Sequence, residues 1–437
     1  MSPIRYLPVA AVLLCGASAL AAPPVLSAFQ FTNGVGVNTH IAYTDGLYSN
    51  LPLLISDMQY LGVTQIRDGV SNGANGSAPL SSYITVAQAG MNFTLCIYAD
   101  GDTNNQDILN ELAEMDQIEQ AVPGSITAIG GANEINNEPV TFNGLTGIAA
   151  AEAQQSDLVA DVAADPNLAG VPVVYFTGYD AGNVPVGPDP ITSGLANYDD
   201  QHPYPGYLNG SNAPAPYVSR NCGNTSGLPI PYPNLTAADC ATAPGYFTET
   251  GYTTNPSEPN NQGVTAAQKA YYSADLLFDA MNPTEGNVTH VDLYDLMDAY
   301  APGSYQGDDL FGLFSYANGS QAPTPAAVYI ANIMADLADT GANAASFVPT
   351  AESFTVTGLP ATGNSLLIEK SNRTYWLAIW SEPAVLSATA TVTVKFPTKV
   401  PNLTVIDPTT QTSTTTHNAN SVTLTVPAHP MLIEASQ

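Results

Sequence analysis

The feature that most constrains the fold is an alternation. Short apolar runs of strand character alternate with stretches of helical periodicity from residue 34 to about residue 340. The strand-like runs are Gly34–His40, Thr64–Gly69, Asn92–Tyr98, Ser125–Asn133, Val171–Thr177, Tyr198–His202, Tyr246–Thr250 and Val288–Leu293. Helical stretches lie at Leu47–Tyr60, Leu80–Ala89, Gln106–Gln120, Gly147–Ala164, Ala266–Met281 and Pro325–Leu337. Strands joined through helices are parallel, because only a crossover of that length returns the chain to the same edge. Eight such units in roughly 310 residues fit a (β/α)8 barrel. A doubly wound open sheet is the rival. It would show fewer strands and, for a nucleotide binder, a glycine loop after the first strand. Gly34-Val35-Gly36 lies before or within that strand, so the fingerprint fails.

After residue 341 the texture changes. Ser353–Val356, Ser365–Lys370, Thr374–Trp380, Ala388–Phe396, Thr404–Ile406 and Val422–Val426 are short runs rich in Thr, Val and Leu, separated by turn residues. They read as a C-terminal antiparallel β-sandwich spanning 342–437, behind the barrel at 23–341. Val25–Phe31 is a candidate extra strand for that module. Residues 1–22 read as a signal peptide. Arg5 supplies the positive start, Leu7–Leu14 an apolar run too short to span a bilayer, and Ala19-Leu20-Ala21 the small residues a signal peptidase needs. Cleavage after Ala21 or Ala22 is expected, with export to the periplasm or medium and no membrane insertion.

Only 8 Lys and Arg stand against 38 Asp and Glu, a formal charge of −30. Loss of Arg5 with the signal makes it −31. Binding phosphates takes Lys and Arg, so nucleic acid and anionic lipid are poor partners. With 45% hydrophobic residues and 11% charged ones, the chain is nonetheless no acidic tail. Cys222 and Cys240 flank a loop rich in Pro, Asn and Gly and could close it as a disulfide after export. Cys96, within an apolar run, reads as a buried free thiol. No Cys/His cluster has zinc spacing, so neither metal nor organic cofactor is implied.

Active sites of such barrels lie at the C-terminal ends of the strands. The polar residues there are His40, Arg67-Asp68, Asn133-Glu134, His202-Pro203-Tyr204, Glu249, and Tyr294 with Asp295 and Asp298. Two glutamates, on strands four and seven, face each other across the barrel mouth. Retaining glycosidases need two carboxyl groups about 5 Å apart, one as acid/base and one as nucleophile. A nucleophilic Glu249 must be ionised, and a neighbouring guanidinium favours that form. Arg67, Arg220 and Lys269 are the only basic residues of the mature barrel. Plainer readings stand beside these. Arg67 could pair with Asp68 at the rim, Glu134 and Glu249 could be solvated loop and strand-end carboxylates, and His202 and His40 could be structural.

The segments Ala128-Ile-Gly-Gly-Ala-Asn133-Glu134-Ile-Asn and Tyr246-Phe-Thr-Glu249-Thr-Gly-Tyr252 resemble those of clan A glycoside hydrolases, most closely family 39. The resemblance covers the whole mature chain. It implies a retaining O-glycosidase with Glu134 as acid/base and Glu249 as nucleophile. It further implies that Asn133 holds the sugar 2-hydroxyl and that Arg67, His202 and Tyr204 support the nucleophile. A second pair, Asn137-Glu138-Pro139, carries the proline often found in the clan motif. Glu134 is preferred because the apolar run Ile126–Gly131 leads straight into it; Glu138 would lie four residues further out.

One departure stands out. Clan members usually place a Trp at the end of strand eight, as the floor of the sugar subsite. Trp376 and Trp380 both lie in the β-module, and strand eight offers Tyr294, followed by Phe311, Phe314 and Tyr316. Tyr43, Tyr98, Tyr179, Tyr207 and Tyr252 are further candidate stacking faces. The long loop from about Pro203 to Pro244 could wall the cleft, with Arg220 meeting an acidic sugar. The reading is therefore a secreted retaining glycosidase acting on a poly- or oligosaccharide. A transglycosylase on the same scaffold and a non-catalytic carbohydrate-binding surface protein are the alternatives. The acidity points to work in a mildly acidic medium.

Overall fold

A computed structural model describes residues 24–70, 78–97, 103–135, 137–178, 191–205, 244–255, 263–285, 287–303, 310–383 and 385–436. Seven parallel strands form one sheet: β1 (Val35–Asn38), β2 (Gln65–Gly69), β3 (Asn92–Cys96), β4 (Ile126–Gly130), β5 (Val173–Val174), β7 (Gly245–Thr250) and β8 (Val288–Leu293). Their order is β5-β4-β3-β2-β1-β8-β7. Residues 198–200 act as β6. Tyr198 bridges in parallel to Val174 on one edge, and Asp200 to Tyr246 on the other. That short segment brings the sheet round to a (β/α)8 barrel, as the alternation demands.

Helices pack outside, and their limits follow from local chemistry. Asn50 caps Leu51–Leu61, which ends at Gly62 with φ 68°; a residue without a Cβ adopts that conformation cheaply. Thr265 and Gln268 form a reciprocal capping box at Ala266–Met281. The Gly34-Val35-Gly36 motif has a packing cause. A Cβ on Gly34 would meet Met281 and the Thr289 carbonyl, and one on Gly36 would meet Asp292 Oδ1.

The C-terminal sheet runs Val25–Ser27, Asn364–Glu369, Tyr375–Trp380, Met431–Ser436, Ala390–Asp407, Thr355–Thr357, with Thr412–Val426 paired along Ala390–Asp407. All of its pairings are antiparallel except the parallel one made by Val25–Ser27. The long hairpin bends at a register shift between Lys395 and Val400. Its first part, carrying Val392, Val394 and Phe396, therefore shares a core with Leu377, Ile379 and Ile433. Strand periodicity does the rest. Tyr375, Leu377 and Ile379 face that inner core, while Trp376, Ala378 and Trp380 face the barrel's core. Trp380 stacks on Phe278 at 5.6 Å, and its Nε1 donates to Asp279 Oδ1 at 2.8 Å.

Four details of the module differ from expectation. Val25–Phe31 is a strand only to Ser27, where the Ser27 hydroxyl caps the helix Ala28–Asn33. Ala388–Phe396 and Thr404–Ile406 belong to one bulged strand. Val422–Val426 is the apolar end of a strand that begins at Thr412, and Met431–Ser436 was not anticipated. Among the described residues, no helix is long and apolar enough to cross a membrane. The signal peptide and Cys222 with Cys240 lie outside the described residues, as do Arg220, Tyr98, Tyr179 and Tyr207. Cys96 is a buried free thiol, and burial pushes it up to about 11.

Candidate active site

Arg67 lies on β2 with its side chain directed into the barrel mouth. Its Nη1 donates to Glu249 Oε1 at 2.6 Å and its Nη2 to Asn133 Oδ1 at 2.6 Å. It thus ties the ends of β2, β4 and β7 together. The simple pairing of Arg67 with Asp68 is not what forms. Asp68 instead accepts from Thr39 Oγ1, Ile41 N and Gly69 N. Burial pushes Asp68 up to about 7.

Glu134 follows β4 with φ 39°, an uncommon conformation for a residue with a side chain. Its neighbours hold it there. Its N–H donates to Thr177 Oγ1 at 2.9 Å, and its carbonyl accepts from the N–H groups of Asn137 and Glu138 at 2.7 and 2.8 Å. Strain of this kind persists only where surrounding contacts over-determine the backbone. The result aims the Glu134 carboxyl at His202, whose Nδ1 lies 2.9 Å from Oε1. Glu138 is half-buried on the turn beyond and is not part of that group. One oxygen of Glu134, one of Glu249 and a ring nitrogen of His202 all lie within 4.8 Å of one another.

Glu249 ends β7, buried. Besides Arg67 it accepts from Tyr204 Oη at 2.9 Å, and His202 Nδ1 is 3.7 Å from Oε2. Burial alone would raise its pKa. The combined pull of His202, Arg67, the Tyr204 hydroxyl and His40 outweighs it and holds the carboxyl below the ordinary range. His202 is the converse case. Burial disfavours its charge, but Glu249, Glu134 and Asp200 together raise it above the usual value. Glu134, His202 and Glu249 offer three ligand atoms of the kind a divalent cation takes. The Arg67 guanidinium already brings a positive charge to Glu249, which makes the site a poor one for a metal.

The remaining expected residues form an aromatic wall. His40 Nε2 lies 3.1 Å from Tyr294 Oη, and its ring stacks on Tyr43 at 4.5 Å and 7°. Burial lowers His40 to about 4, so it is a neutral ring. Phe311 packs edge-on against both Tyr204 and Tyr294, at 5.8 and 5.4 Å. Tyr294 thus closes this wall beyond the end of β8. Asp295 accepts from Tyr48 Oη, and Asp298 from the Gly312 N–H, so both serve the scaffold. Lys269 does so too: its Nζ donates to the carbonyls of Leu310, Phe311 and Gly312. Phe314 is buried within the core, and Tyr252 packs against Tyr272 away from the mouth.

Sequence reasoning missed three residues. Thr177 anchors Glu134. Thr248 Oγ1 meets His202 Nε2 at 2.9 Å, and Asp200 accepts from Thr248 N at 3.0 Å and from Thr248 Oγ1 at 2.5 Å. Asp200 was findable, since it lies two residues before His202 and strand alternation puts both on the same face.

No protein-family model matches the chain, and no curated protein sequence matches it. Solved structures do. The family 39 glycoside hydrolase from Xanthomonas axonopodis pv. citri superposes with a TM-score of 0.50, covering 98% of this chain and 100% of its own at 12% identity. The family 30 subfamily 8 xylanase from Clostridium acetobutylicum gives 0.55 over 95% and 97%, also at 12% identity. A monomeric β-xylosidase from Caulobacter crescentus gives 0.52 over 95% and 97%, again at 12%. The barrel and its β-module are therefore those of clan A glycoside hydrolase structures. At this identity the likeness concerns the fold.

Proposed function

We propose that the protein is a retaining glycoside hydrolase acting on a poly- or oligosaccharide by double displacement. The observation that carries this is the carboxyl pair. Glu134 and Glu249 approach within 4.8 Å across the barrel mouth, Glu249 held by Arg67 and Tyr204 and Glu134 by His202. A short separation leaves no room for a water between the second carboxylate and the anomeric carbon, which favours covalent capture over direct displacement. Glu249, held ionised by Arg67 and Tyr204, attacks the anomeric carbon. Glu134 gives its proton to the departing oxygen, then removes one from the water that releases the sugar. In this reading Asn133, which Arg67 orients, holds the sugar 2-hydroxyl. Tyr204, Tyr294 and Phe311 offer apolar faces for the sugar's C–H side. Export behind a cleaved signal peptide, with residues 23–341 as the catalytic unit and 342–437 as the β-module, completes the reading. Transglycosylation would use the same residues, and product analysis distinguishes it.

The experiment is a polysaccharide and aryl-glycoside panel run on the wild type, Glu134→Gln and Glu249→Ala. Loss of kcat by several orders of magnitude in each variant is expected, with azide restoring Glu249→Ala through a glycosyl azide of inverted configuration. Near-normal activity in either variant would sink the assignment. Ligand binding without turnover at any pH would favour the carbohydrate-binding alternative.

A further inference from the structure

Behind His202 lies a chain of groups that the double displacement does not itself require. It runs from Asp200 Oδ2 to Thr248 Oγ1 at 2.5 Å, from Thr248 Oγ1 to His202 Nε2 at 2.9 Å, and from His202 Nδ1 to Glu134 Oε1 at 2.9 Å. Asp200, Thr248, His202 and Glu134 are all buried. The Thr248 N–H donates to Asp200 Oδ1 at 3.0 Å. That bond fixes the carboxyl, so Oδ2 is the oxygen facing the hydroxyl.

A hydroxyl donates once, and a neutral imidazole donates from one nitrogen while accepting at the other. Only three arrangements of one proton therefore keep every link of this chain made. With Asp200 ionised, Thr248 donates to Asp200, His202 Nε2–H donates to Thr248, and protonated Glu134 donates to Nδ1. With Asp200 protonated, every donor points the other way and Nδ1–H donates to an ionised Glu134. The third arrangement is an imidazolium between two carboxylates. All three carry the same number of protons.

We propose that Asp200 is the proton store of the acid/base Glu134, exchanging one proton with it through Thr248 and His202. In the forward step the proton on Asp200 Oδ2 passes to Thr248 Oγ1. That hydroxyl passes its own proton to His202 Nε2, and Nδ1 passes its proton to Glu134 Oε1. The negative charge moves from Glu134 to Asp200, and no bond between heavy atoms changes. Thr248 and Asp200 are positioning residues. They act through His202 and touch no reacting atom.

Burial supports the store. It pushes Asp200 up to about 7, within reach of proton exchange at working pH, although His202, Thr248 and Arg67 pull the other way. The titratable and charged groups that face the chain from neighbouring strands are Arg67, Glu249, Tyr204, His40, Tyr246 and Asp292. None of them links to Glu134 by a comparable set of hydrogen bonds among the described residues.

This rests on the reading of Glu134 as acid/base, so the test has one readout that needs activity and one that does not. An Asp200→Asn side chain must keep its oxygen on the Thr248 N–H and turn its amide donor to Thr248 Oγ1. The hydroxyl then donates to His202 Nε2, which can carry no proton. Nitrogen-15 NMR of histidine-labelled protein at pH 8, with the His202→Gln spectrum as assignment, should show Nε2 protonated in the wild type and bare in Asp200→Asn. Kinetically, Asp200→Asn and Thr248→Val should move the alkaline limb of kcat/KM down by a pH unit or more. Both should lower kcat/KM at least 10-fold on substrates with poor leaving groups. Dinitrophenyl glycosides, which need no acid, should change less than about 3-fold, and Thr248→Ser should restore the profile. An Nε2 signal unchanged by Asp200→Asn would overturn the proposal. So would a Thr248→Val profile like the wild type's, or equal losses on both substrate classes. An NMR swap in a protein that turns over no glycoside would leave the chain standing and refute the glycosidase reading instead.

Discussion

Removing the Arg67 guanidinium is the sharpest perturbation the site allows. Arg67→Met keeps most of the buried stem and deletes both 2.6 Å contacts, to Glu249 and to Asn133. The side chains of Arg67 and Glu249 are only 11% and 9% exposed, so water does not replace the lost partner. Stripping one member from a buried ion pair costs about 3–5 kcal/mol, because the other charge is left uncompensated. The cheapest relief is protonation of Glu249. At 1.36 kcal/mol per pH unit, that penalty can move the carboxyl up by about 2–3 units before His202 and Tyr204 limit it. A nucleophile protonated at pH 5 is silent, and because Glu249 starts below the ordinary carboxylate range only part of that rise lies above pH 5, so kcat/KM there should fall about 10- to 100-fold. The fall should be steepest on the acid side, with the acid limb displaced upward. The assay is a kcat/KM profile from pH 3 to 8 on an activated aryl glycoside, with Arg67→Lys beside it. Lys restores a charge but not the fork, and should regain part of the limb and little of the rate. An acid limb at the wild-type position in Arg67→Met would refute the idea that the guanidinium keeps Glu249 ionised.

Other outcomes follow from burial elsewhere. Asp68, Asp200 and Glu382 are pushed to about 7, and Asp275 and Asp279 are raised well above the usual range, in each case chiefly by burial. Groups raised in this way stabilise the fold fully below the unfolded carboxylate range near 4, and the contribution is lost as pH rises through about 7. Thermal unfolding should therefore show a higher Tm at pH 5 than at pH 8, with Asp275→Asn flattening the difference; a higher Tm at pH 8 would contradict this. Trp380→Phe removes the N–H that Asp279 and Glu382 share, at 2.8 and 2.9 Å, and should cost about 1–3 kcal/mol in denaturant unfolding. A loss below about 0.5 kcal/mol would mean that the seam between barrel and module is held by packing alone. Glu138→Gln should keep its kcat within about 3-fold, since Glu138 lies outside the carboxyl pair, whereas a collapse matching that of Glu134→Gln would reopen the choice between them.

Much of the architecture was legible because burial writes a period into the chain. The barrel strands are buried on both faces, so they read as apolar runs, and the helices Ala266–Met281 and Pro325–Leu337 match their sequence limits. Where the period fades, reading fails. Thr412–Asn420 is a solvent-facing arm of Thr and Asn whose strand character comes only from pairing with Ala390–Asp407. At the mouth, charge scarcity singled out Arg67, and strand ends singled out Glu134, His202 and Glu249. The resemblance set Arg67 beside Glu249, while the residues alone left its neighbour Asp68 open as a partner; what closes that option is three donors folding over Asp68 from Thr39, Ile41 and Gly69. The two cations of the described barrel divide as the strand ends implied. Arg67 and Lys269 are both buried strand-end or helix residues, yet only one faces the carboxyl pair while the other holds three loop carbonyls.

The central claim is that Glu249 is a nucleophile that becomes covalently attached to the sugar. Incubation with a 2-deoxy-2-fluoro glycosyl fluoride of the sugar found active in the panel slows release of the intermediate more than its formation. Mass spectrometry of the digested protein should then show one glycosyl adduct, on the peptide carrying Glu249. An adduct on another residue, or turnover of the natural substrate with inverted anomeric configuration and no adduct at all, would contradict the account.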